Sequence, residues 1–141
     1  MEKVVIDASV VVKWFIEEEA SEEALAIRTQ FIEGEIELMS PSVLNYEVLN
    51  ALKYSTLYNI QELIIAATAL ENYGIIQVPL NGEYAKQVVT IALENEISIY
   101  DAAYIGLAEI METQVYTADI QMSEKVQKEQ RKRVRVIIPR K

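Results

Sequence analysis

The chain has 141 residues, of which 51% are hydrophobic, and this length and composition predict a single globular domain over residues 1–141. It contains no cysteine and no histidine, which excludes disulfides, zinc sites built on thiolate or imidazole, cysteine nucleophiles and the Ser-His-Asp triad. The formal net charge is −9, yet eight of the 13 basic residues lie in residues 125–141, so a locally basic segment follows an acidic body.

Strand and helix signals alternate from the N-terminus onward. "KVVID" (3–7) predicts a short strand that ends at Asp7, and "ASVVVKWF" (8–15) predicts a helix directly after it. "SEEALAIRTQFIEG" (21–34) has apolar residues at helical spacing and closes on a glycine. "EIELMS" (35–40) predicts the next strand.

The middle of the chain predicts two consecutive helices before the next strand. "SPSVLNYEVLNALKYS" (40–55) indicates a helix with Ser40 at the N-cap and Pro41 at the first helical position. "NIQELIIAATALENYG" (59–74) indicates a second helix that ends at a glycine. "IIQVP" (75–79) then predicts a strand.

The last part of the chain repeats the alternation. The predicted elements are a helix at 81–96, a nearly all-apolar helix at 98–111, a strand at 113–119, a short helix at 120–128 and a strand at 134–138. Strands that alternate with helices imply an α/β fold with a parallel sheet covered on both faces. The strand in "RKRVRV" suits a sheet edge with one wet face, and its functional alternative is a phosphate contact.

We expect no membrane segment and a cytoplasmic location. No apolar run approaches the ~20 residues that span a bilayer. Asp7 and Lys13 interrupt the apolar stretch near the N-terminus, where the apolar region of a signal peptide would lie. The acidic residues 1–124 are not typical of a protein that coats nucleic acid non-specifically, because phosphate binding needs clustered Lys and Arg. Only the basic segment at residues 125–141 offers such a cluster.

Four acids are predicted to share one edge of the sheet. Asp7 ends the first strand and Asp119 follows a later one, and the binding crevice of an open parallel sheet lies beyond these carboxyl ends. Asp101 lies in the first turn of the apolar helix "SIYDAAYIGLA", whose N-terminus meets the same edge. Glu47 lies about 60° from the centre of the buried face of its helix.

Each acid also has a purely structural interpretation. Asp101 with Ser98 nearly matches a capping box, and an Asp after a strand is commonly a turn residue or a cap. Together, however, four crowded carboxylates repel and raise one another's pKa, which is costly without compensating cations. Oxygen ligands without nitrogen or sulfur favour Mg²⁺, Mn²⁺ or Ca²⁺. Two divalent ions would suit in-line displacement at phosphorus without a histidine base.

The chain resembles the PIN-domain family, and specifically its small VapC-like toxins. The resemblance runs through "VVIDASVVV", "SPSVLNYEVLNAL", "SIYDAAYIGLA" and "VYTAD", in that order and nearly end to end. It implies a three-layer α/β/α sandwich with a mainly parallel central sheet, related to flap endonucleases. It also implies a quartet of acids that binds Mg²⁺ or Mn²⁺ and a metal-dependent cleavage of single-stranded or structured RNA.

The resemblance assigns roles position by position. Asp7, Asp101 and Asp119 match the direct metal ligands, and Glu47 matches the acid that binds a second metal or its water. Ser9 and Thr117 match small hydroxyl residues beside the acids, although helix capping and strand termination explain them equally well. Residues 120–123 carry no acid, unlike some PIN domains, which implies a weaker second metal site.

The leading hypothesis is a metal-dependent endoribonuclease acting as the toxin of a type II toxin–antitoxin pair. One alternative is an RNA-processing or quality-control PIN nuclease without an antitoxin. Another is a catalytically silent PIN-like binding module, against which the intact set of four acids argues. The chain order and the absence of a paired acid after the first strand disfavour a phospho-acceptor receiver domain.

The two helices between Leu44 and Tyr73 suggest a partner surface. They carry more apolar residues than a single side facing the sheet would use: Leu57, Tyr58, Ile60, Leu63, Ile64, Ile65 and Leu70. On pattern alone, we favour the interpretation that both helices are simply part of the core. The resemblance instead implies a homodimer and a groove for a small VapB-like antitoxin whose basic residue approaches the acids. Trp14 and the tyrosines at 46, 54 and 58 favour packing, with base stacking as the alternative.

Overall fold

Five parallel strands form the central sheet in the part of the chain that the structure describes. The structure is a computed structural model that describes residues 1–55 and 57–139. The strands are β1 Glu2–Ile6, β2 Ile36–Pro41, β3 Ile76–Val78, β4 Val115–Thr117 and β5 Val134–Val136. Their order across the sheet is β3-β2-β1-β4-β5, and every neighbouring pair is parallel. The predicted α/β class and parallel sheet are confirmed.

Helices connect and cover the strands, as the alternating pattern predicts. Those within the described residues are α1 Ala8–Val12, α2 Ser21–Ile32, α3 Leu44–Tyr54, α4 Ile60–Tyr73, α5 Gly82–Asn95, α6 Ile99–Ile110, α7 Ile120–Glu124 and α8 Lys128–Arg131. The chain steps outward from β1 to β2 and β3, then crosses to β4 on the other side of β1. Right-handed crossovers in opposite directions place α1–α4 and α5–α6 on opposite faces, which makes a three-layer sandwich.

The apolar helix α6 lies in the core, as its composition predicts. All residues from Ala102 to Ala108 are buried. Gly106 allows close packing against α5, because a Cβ at this position would lie 3.1 Å from Val88 Cγ2. No helix in residues 1–55 and 57–139 is long and apolar enough to cross a membrane.

The predicted start of α3 is wrong. Ser40 and Pro41 do not cap a helix; both are buried in strand β2, opposite Gln77 and Val78 of β3. The register with β1 has already ended at Met39, so the missing N–H of Pro41 costs no hydrogen bond on that side. The extended backbone continues through Pro41, and α3 begins at Leu44.

The predicted short helix at 120–128 ends early, at Glu124, and a separate short helix begins at Lys128. The side chain of Val126 is buried between α7 and α8. Asn95 Oδ1 accepts a hydrogen bond from the backbone N–H of Gln127 at 2.7 Å. The break therefore coincides with two contacts to the body of the domain, which local helical periodicity does not encode.

Candidate active site

The candidate site lies at the carboxyl edge of the two central strands. The strand order reverses its direction between β1 and β4, and ligands of open α/β sheets bind in the crevice at such a switch point. Asp7 directly follows β1, and Asp119 lies two residues after β4. The topology therefore brings these two predicted site residues to the same edge.

Two hydroxyl groups hold the carboxylate of Asp7. Ser9 Oγ and Thr117 Oγ1 donate to Asp7 Oδ2 at 2.5 and 2.8 Å. Each hydroxyl also accepts a backbone N–H from the segment after β4, that of Ala118 at 2.9 Å for Ser9 and that of Asp119 at 3.0 Å for Thr117. Ser9 and Thr117 thus connect the end of β1 to the end of β4 through hydrogen bonds. Because both contact Asp7, they have a role beside the candidate site in addition to any role in local capping.

Asp7 is a buried acid whose ionised form is disfavoured. Its exposed fraction is 7%. Burial raises the pKa of the Asp7 carboxyl above its ordinary value, the hydrogen bonds from Ser9 and Thr117 lower it, and the negative charge of Asp101 raises it further. None of the ion pairs found in residues 1–55 and 57–139 includes Asp7. A buried carboxylate of this kind is a natural ligand for a cation.

Glu47 reaches the site from α3 and is held by a tyrosine. Its side chain is half-buried, as the predicted position at the border of the apolar face requires. Tyr104 donates its phenol hydrogen to Glu47 Oε1 at 2.6 Å. Burial raises the pKa of the Glu47 carboxyl, the hydrogen bond from Tyr104 lowers it, and the charges of Asp7 and Asp101 raise it.

Asp101 is half-buried in the first turn of α6. The capping bond at this helix runs from the backbone N–H of Asp101 to Ser98 Oγ, at 3.0 Å. The cap therefore uses the main chain of Asp101, while the Ser98 side chain also interacts with the Asp101 carboxylate. Burial raises the pKa of the Asp101 carboxyl, the charge of Asp119 raises it further, and Lys125 and Ser98 lower it.

Asp119 is the exposed member of the set and has a structural role as well. It is the N-cap of α7, and its Oδ1 accepts the backbone N–H of Gln121 at 3.0 Å. One oxygen is therefore engaged in capping, as the simple interpretation of an Asp after a strand predicts. The charge of Asp119 nevertheless raises the pKa of Asp101, so Asp119 caps α7 and also lies close enough to influence the other acids.

The four acids influence one another electrostatically but do not form a ready-made metal cluster. The charge of Asp101 raises the pKa of Asp7, the charges of Asp7 and Asp101 raise that of Glu47, and the charge of Asp119 raises that of Asp101. Within the described ranges, no three acids lie close enough together to hold an ion as they stand. The oxygen-only donor set fits a hard cation. Because like charges repel, bringing these carboxylates together requires a compensating cation, and half-buried Asp101 and exposed Asp119 are accessible to one.

Sequence reasoning missed two residues near these acids. Tyr104 occurs in an apolar helix and has the pattern of a core aromatic, so only its spacing of three from Asp101 links it to the site. Lys125 is an exposed base whose charge lowers the pKa of Asp101. It belongs to the predicted basic segment, but nothing in the local sequence separates it from the other bases.

Much of the basic segment lies away from the acids or is used in structure. Lys132 and Arg133 precede β5, at the opposite edge of the sheet, where they line a cavity with Glu2 and Glu112. Arg135 lies over the ring of Tyr116, 5.4 Å from its centroid, on the predicted edge strand β5. Arg140 and Lys141 lie outside the described residues.

The aromatic residues singled out in the sequence divide into packed and exposed groups. Trp14 is buried, donates to the carbonyl of Ala24 at 2.9 Å and packs edge-on against Tyr73, as the packing interpretation predicts. Tyr58 also binds the main chain, through a 2.7 Å hydrogen bond to Phe15. Tyr46 is 78% exposed and Tyr54 75%, so the packing interpretation is wrong for these two.

Comparisons with known proteins identify the family and match the fold. A family model described as PIN domain matches residues 4–128. Ribonuclease VapC3 of Pyrobaculum aerophilum is 30% identical over 127 residues, which cover 87% of this chain and 94% of that protein. VapC20 of Mycobacterium tuberculosis, a sarcin-ricin loop cleaving toxin, has a TM-score of 0.63 at 16% identity, covering 86% of this chain and 93% of that one. A toxin-antitoxin complex from Klebsiella pneumoniae contains a chain with a TM-score of 0.61 at 15% identity, covering 82% and 86%.

Proposed function

The protein belongs to the PIN-domain family, and we propose that it is a divalent-metal-dependent endoribonuclease that acts as the toxin of a type II toxin–antitoxin pair. The relative that is 30% identical is a ribonuclease, and one of the solved structures with the same fold is a toxin-antitoxin complex. The observation that carries the nuclease part is the buried, hydroxyl-held carboxylate of Asp7 at the switch point. Its electrostatic coupling to Glu47 and Asp101 supports a shared cation site.

We assign Asp7, Asp101 and Asp119 as ligands of Mg²⁺ or Mn²⁺, with Glu47 as the ligand of a second ion or of its water. When bound, such ions neutralise the acids, activate water for attack at phosphorus and stabilise the leaving oxygen. Ser9 and Thr117 orient Asp7 through its Oδ2. Lys125 adds a positive charge beside Asp101, where it suits an approaching phosphate.

Exposed aromatic side chains beside Glu47 suit unpaired RNA. Tyr46 and Tyr100 are 78% and 58% exposed, and both line an open cavity of about 420 Å³ together with Glu47. Bases of single-stranded RNA stack on such rings without strong sequence preference. We therefore propose single-stranded RNA or an RNA loop as the substrate.

The surface of α4 favours a protein partner. The α4 apolar surface consists of Ile60, Ile64 and Ile65 of α4 together with Leu57 just before the helix, and all four side chains are at least 60% exposed. Leu70 is buried, and Tyr58 and Leu63 are half-buried, so the all-core interpretation is wrong for four of the seven residues. Contiguous exposed apolar side chains mark interaction sites. We propose that this surface binds a VapB-like antitoxin and contributes to a homodimer.

Purified full-length protein tests the nuclease proposal. We expect hydrolysis of single-stranded RNA in Mg²⁺ or Mn²⁺, loss of cleavage in EDTA, and products with a 5′-phosphate and a 3′-hydroxyl because water attacks, not the ribose 2′-hydroxyl. Analysis of end groups by enzymatic labelling provides the measurement. Cleavage that persists in EDTA, or 2′,3′-cyclic phosphate ends, would contradict the metal-dependent mechanism. Absence of cleavage with every metal would instead favour a silent binding module.

A further inference from the structure

Tyr104 combines the burial of a core residue with a polar contact to the candidate site. Its exposed fraction is 1%, and its ring lies on the α6 face that packs within the domain. Its hydroxyl donates to Glu47 Oε1 at 2.6 Å, across the gap between α6 and α3. A short bond from a fully packed phenol restricts the carboxylate that accepts it, because the donor itself has no freedom to move.

Helix α6 therefore supplies two groups to the same cluster. Asp101 and Tyr104 are three residues apart, which places them on neighbouring positions of one helix face. Asp101 contributes a carboxylate directly, whereas Tyr104 contributes a hydrogen bond to Glu47 on a different helix. The hydroxyl occupies Oε1, so Oε2 is the oxygen of Glu47 that the tyrosine does not use.

Asp7 shows the same arrangement at the other side of the cluster. Ser9 and Thr117 both donate to Oδ2, which fixes the orientation of that carboxylate. Outer groups that orient a ligand in this way change metal affinity or activity by about 10–100-fold when they are removed. The Tyr104 hydroxyl stands in the same relation to Glu47 as these two hydroxyls do to Asp7.

We propose that Tyr104 is a positioning residue that fixes the orientation of the Glu47 carboxylate, which would bind a divalent cation or its water. This inference rests on the proposed metal-dependent function. It assigns Tyr104 no contact with RNA or with the ion, because its hydroxyl is committed to Oε1. The residue acts through Glu47 alone, and removal of the hydroxyl leaves the carboxylate in place but free to rotate.

Metal binding to the full-length protein without RNA tests the inference. We expect Tyr104→Phe to weaken Mn²⁺ binding, measured by titration calorimetry, by about 10-fold. Tyr84→Phe is the matched control, because Tyr84 is also a buried tyrosine whose hydroxyl donates at 2.7 Å, but to the main-chain carbonyl of Ala103. The control removes a comparable buried hydrogen bond and is expected to leave the Mn²⁺ affinity unchanged.

Combination with Glu47→Gln shows whether Tyr104 acts through Glu47. We expect Tyr104→Phe to have no further effect on Mn²⁺ affinity in the Glu47→Gln background, because the group it positions is already lost. In RNA cleavage, Tyr104→Phe should lower kcat and leave KM unchanged. Equal Mn²⁺ affinity of Tyr104→Phe and wild type, equal weakening by Tyr84→Phe, or additive effects with Glu47→Gln would overturn the inference.

The same measurements separate this inference from the proposed nuclease function. If the wild type cleaves RNA with Mn²⁺ and Tyr104→Phe matches it in affinity and kcat, the inference fails and the nuclease stands. If the wild type binds Mn²⁺ but cleaves no RNA, the nuclease proposal fails, and the affinities of the two tyrosine variants still decide the role of Tyr104. A wild type that binds no Mn²⁺ overturns both.

Discussion

Asp101 lies at a helix end and in the candidate site at once. The hydrogen bond that caps α6 joins the main-chain N–H of Asp101 to Ser98 Oγ. The carboxylate adds a favourable interaction with the positive end of the helix dipole. Burial and the charge of Asp119 oppose its ionisation, since both raise the pKa of Asp101. The negative charge of Asp101 therefore contributes little to the stability of the fold.

The substitution Asp101→Asn separates the two roles. We expect the free energy of unfolding to stay equal to that of the wild type or to rise, because the capping bond uses the main chain and repulsion among the acids is relieved. We expect RNA cleavage to fall by more than about 100-fold, since loss of a ligand should exceed loss of an outer-shell group. Urea denaturation and cleavage assays provide the measurements.

Ser98→Ala is the reciprocal control for Asp101→Asn. It removes the capping oxygen and should cost about 1 kcal/mol of unfolding free energy, while cleavage should fall much less than in Asp101→Asn. A variant Asp101→Asn that is destabilised but keeps most of its activity would show that the residue is a structural cap and that the four-acid interpretation is wrong.

The contact between α5 and α6 determines where the acids of α6 lie. Gly106 faces α5, and a Cβ there would lie 3.1 Å from Val88 Cγ2 and 3.6 Å from Ile91 Cδ1. The same helix carries Asp101 at its first turn and Tyr104 in its middle. Any widening of this helix pair therefore shifts both groups relative to the acids on β1 and α3.

We expect Gly106→Val to destabilise the protein and to impair the site. Added methyl groups must push α6 away from α5, at a cost of about 1–3 kcal/mol in unfolding free energy. Cleavage should fall more than the folded fraction does, because Asp101 and Tyr104 move with the helix. Thermal unfolding and specific activity per folded molecule check this. Wild-type stability of Gly106→Val would show that the helix pair is loosely packed.

Periodicity predicted most elements because apolar faces of helices and strands are encoded locally. The helix ends at Gly34 and Gly74, where the glycines adopt positive φ, follow from the sequence. Ser40 and Pro41 were wrongly predicted to begin a helix, because their place in strand β2 depends on pairing with β3, which is distant in sequence. The same limit applies to the site. The edge of the sheet was predictable for Asp7 and Asp119, whereas the bond between Tyr104 and Glu47 joins two helices whose relative position depends on the whole fold.

Acidic side chains of the candidate site lie together at the carboxyl edge of the central sheet. The net charge is −9, and the pKa values of Asp7, Glu47 and Asp101 are all raised, with burial as the largest cause for each. Acids whose pKa is higher in the folded than in the unfolded state favour folding in their protonated form. Their contribution to stability is present below the ordinary pKa of the unfolded acids and is lost as the pH rises through the raised values.

The metal-free protein should therefore be more stable at pH about 4, near the ordinary carboxyl pKa, than at pH about 7.5. Mg²⁺ should restore stability at the higher pH and have little effect at the lower one, because protonated acids bind no cation. Thermal unfolding in EDTA and in Mg²⁺ at both pH values provides the test, with Asp7→Asn as a variant that should flatten the pH dependence. A stability maximum near neutral pH in EDTA would contradict this prediction.

The α4 apolar surface and the acidic edge together define the partner that we propose. The partner should carry an apolar segment that binds Ile60 and Ile64, followed by an Arg or Lys that neutralises the acids of the candidate site. The affinity of the partner should therefore fall as Mg²⁺ competes for the same carboxylates. Ile64→Lys should weaken binding of the partner that copurifies from the native host and leave RNA cleavage intact, as measured by titration at low and high Mg²⁺. If the protein stays monomeric, copurifies with no small partner and does not inhibit growth when expressed alone, the toxin assignment fails. The nuclease assignment would then stand as that of an RNA-processing enzyme.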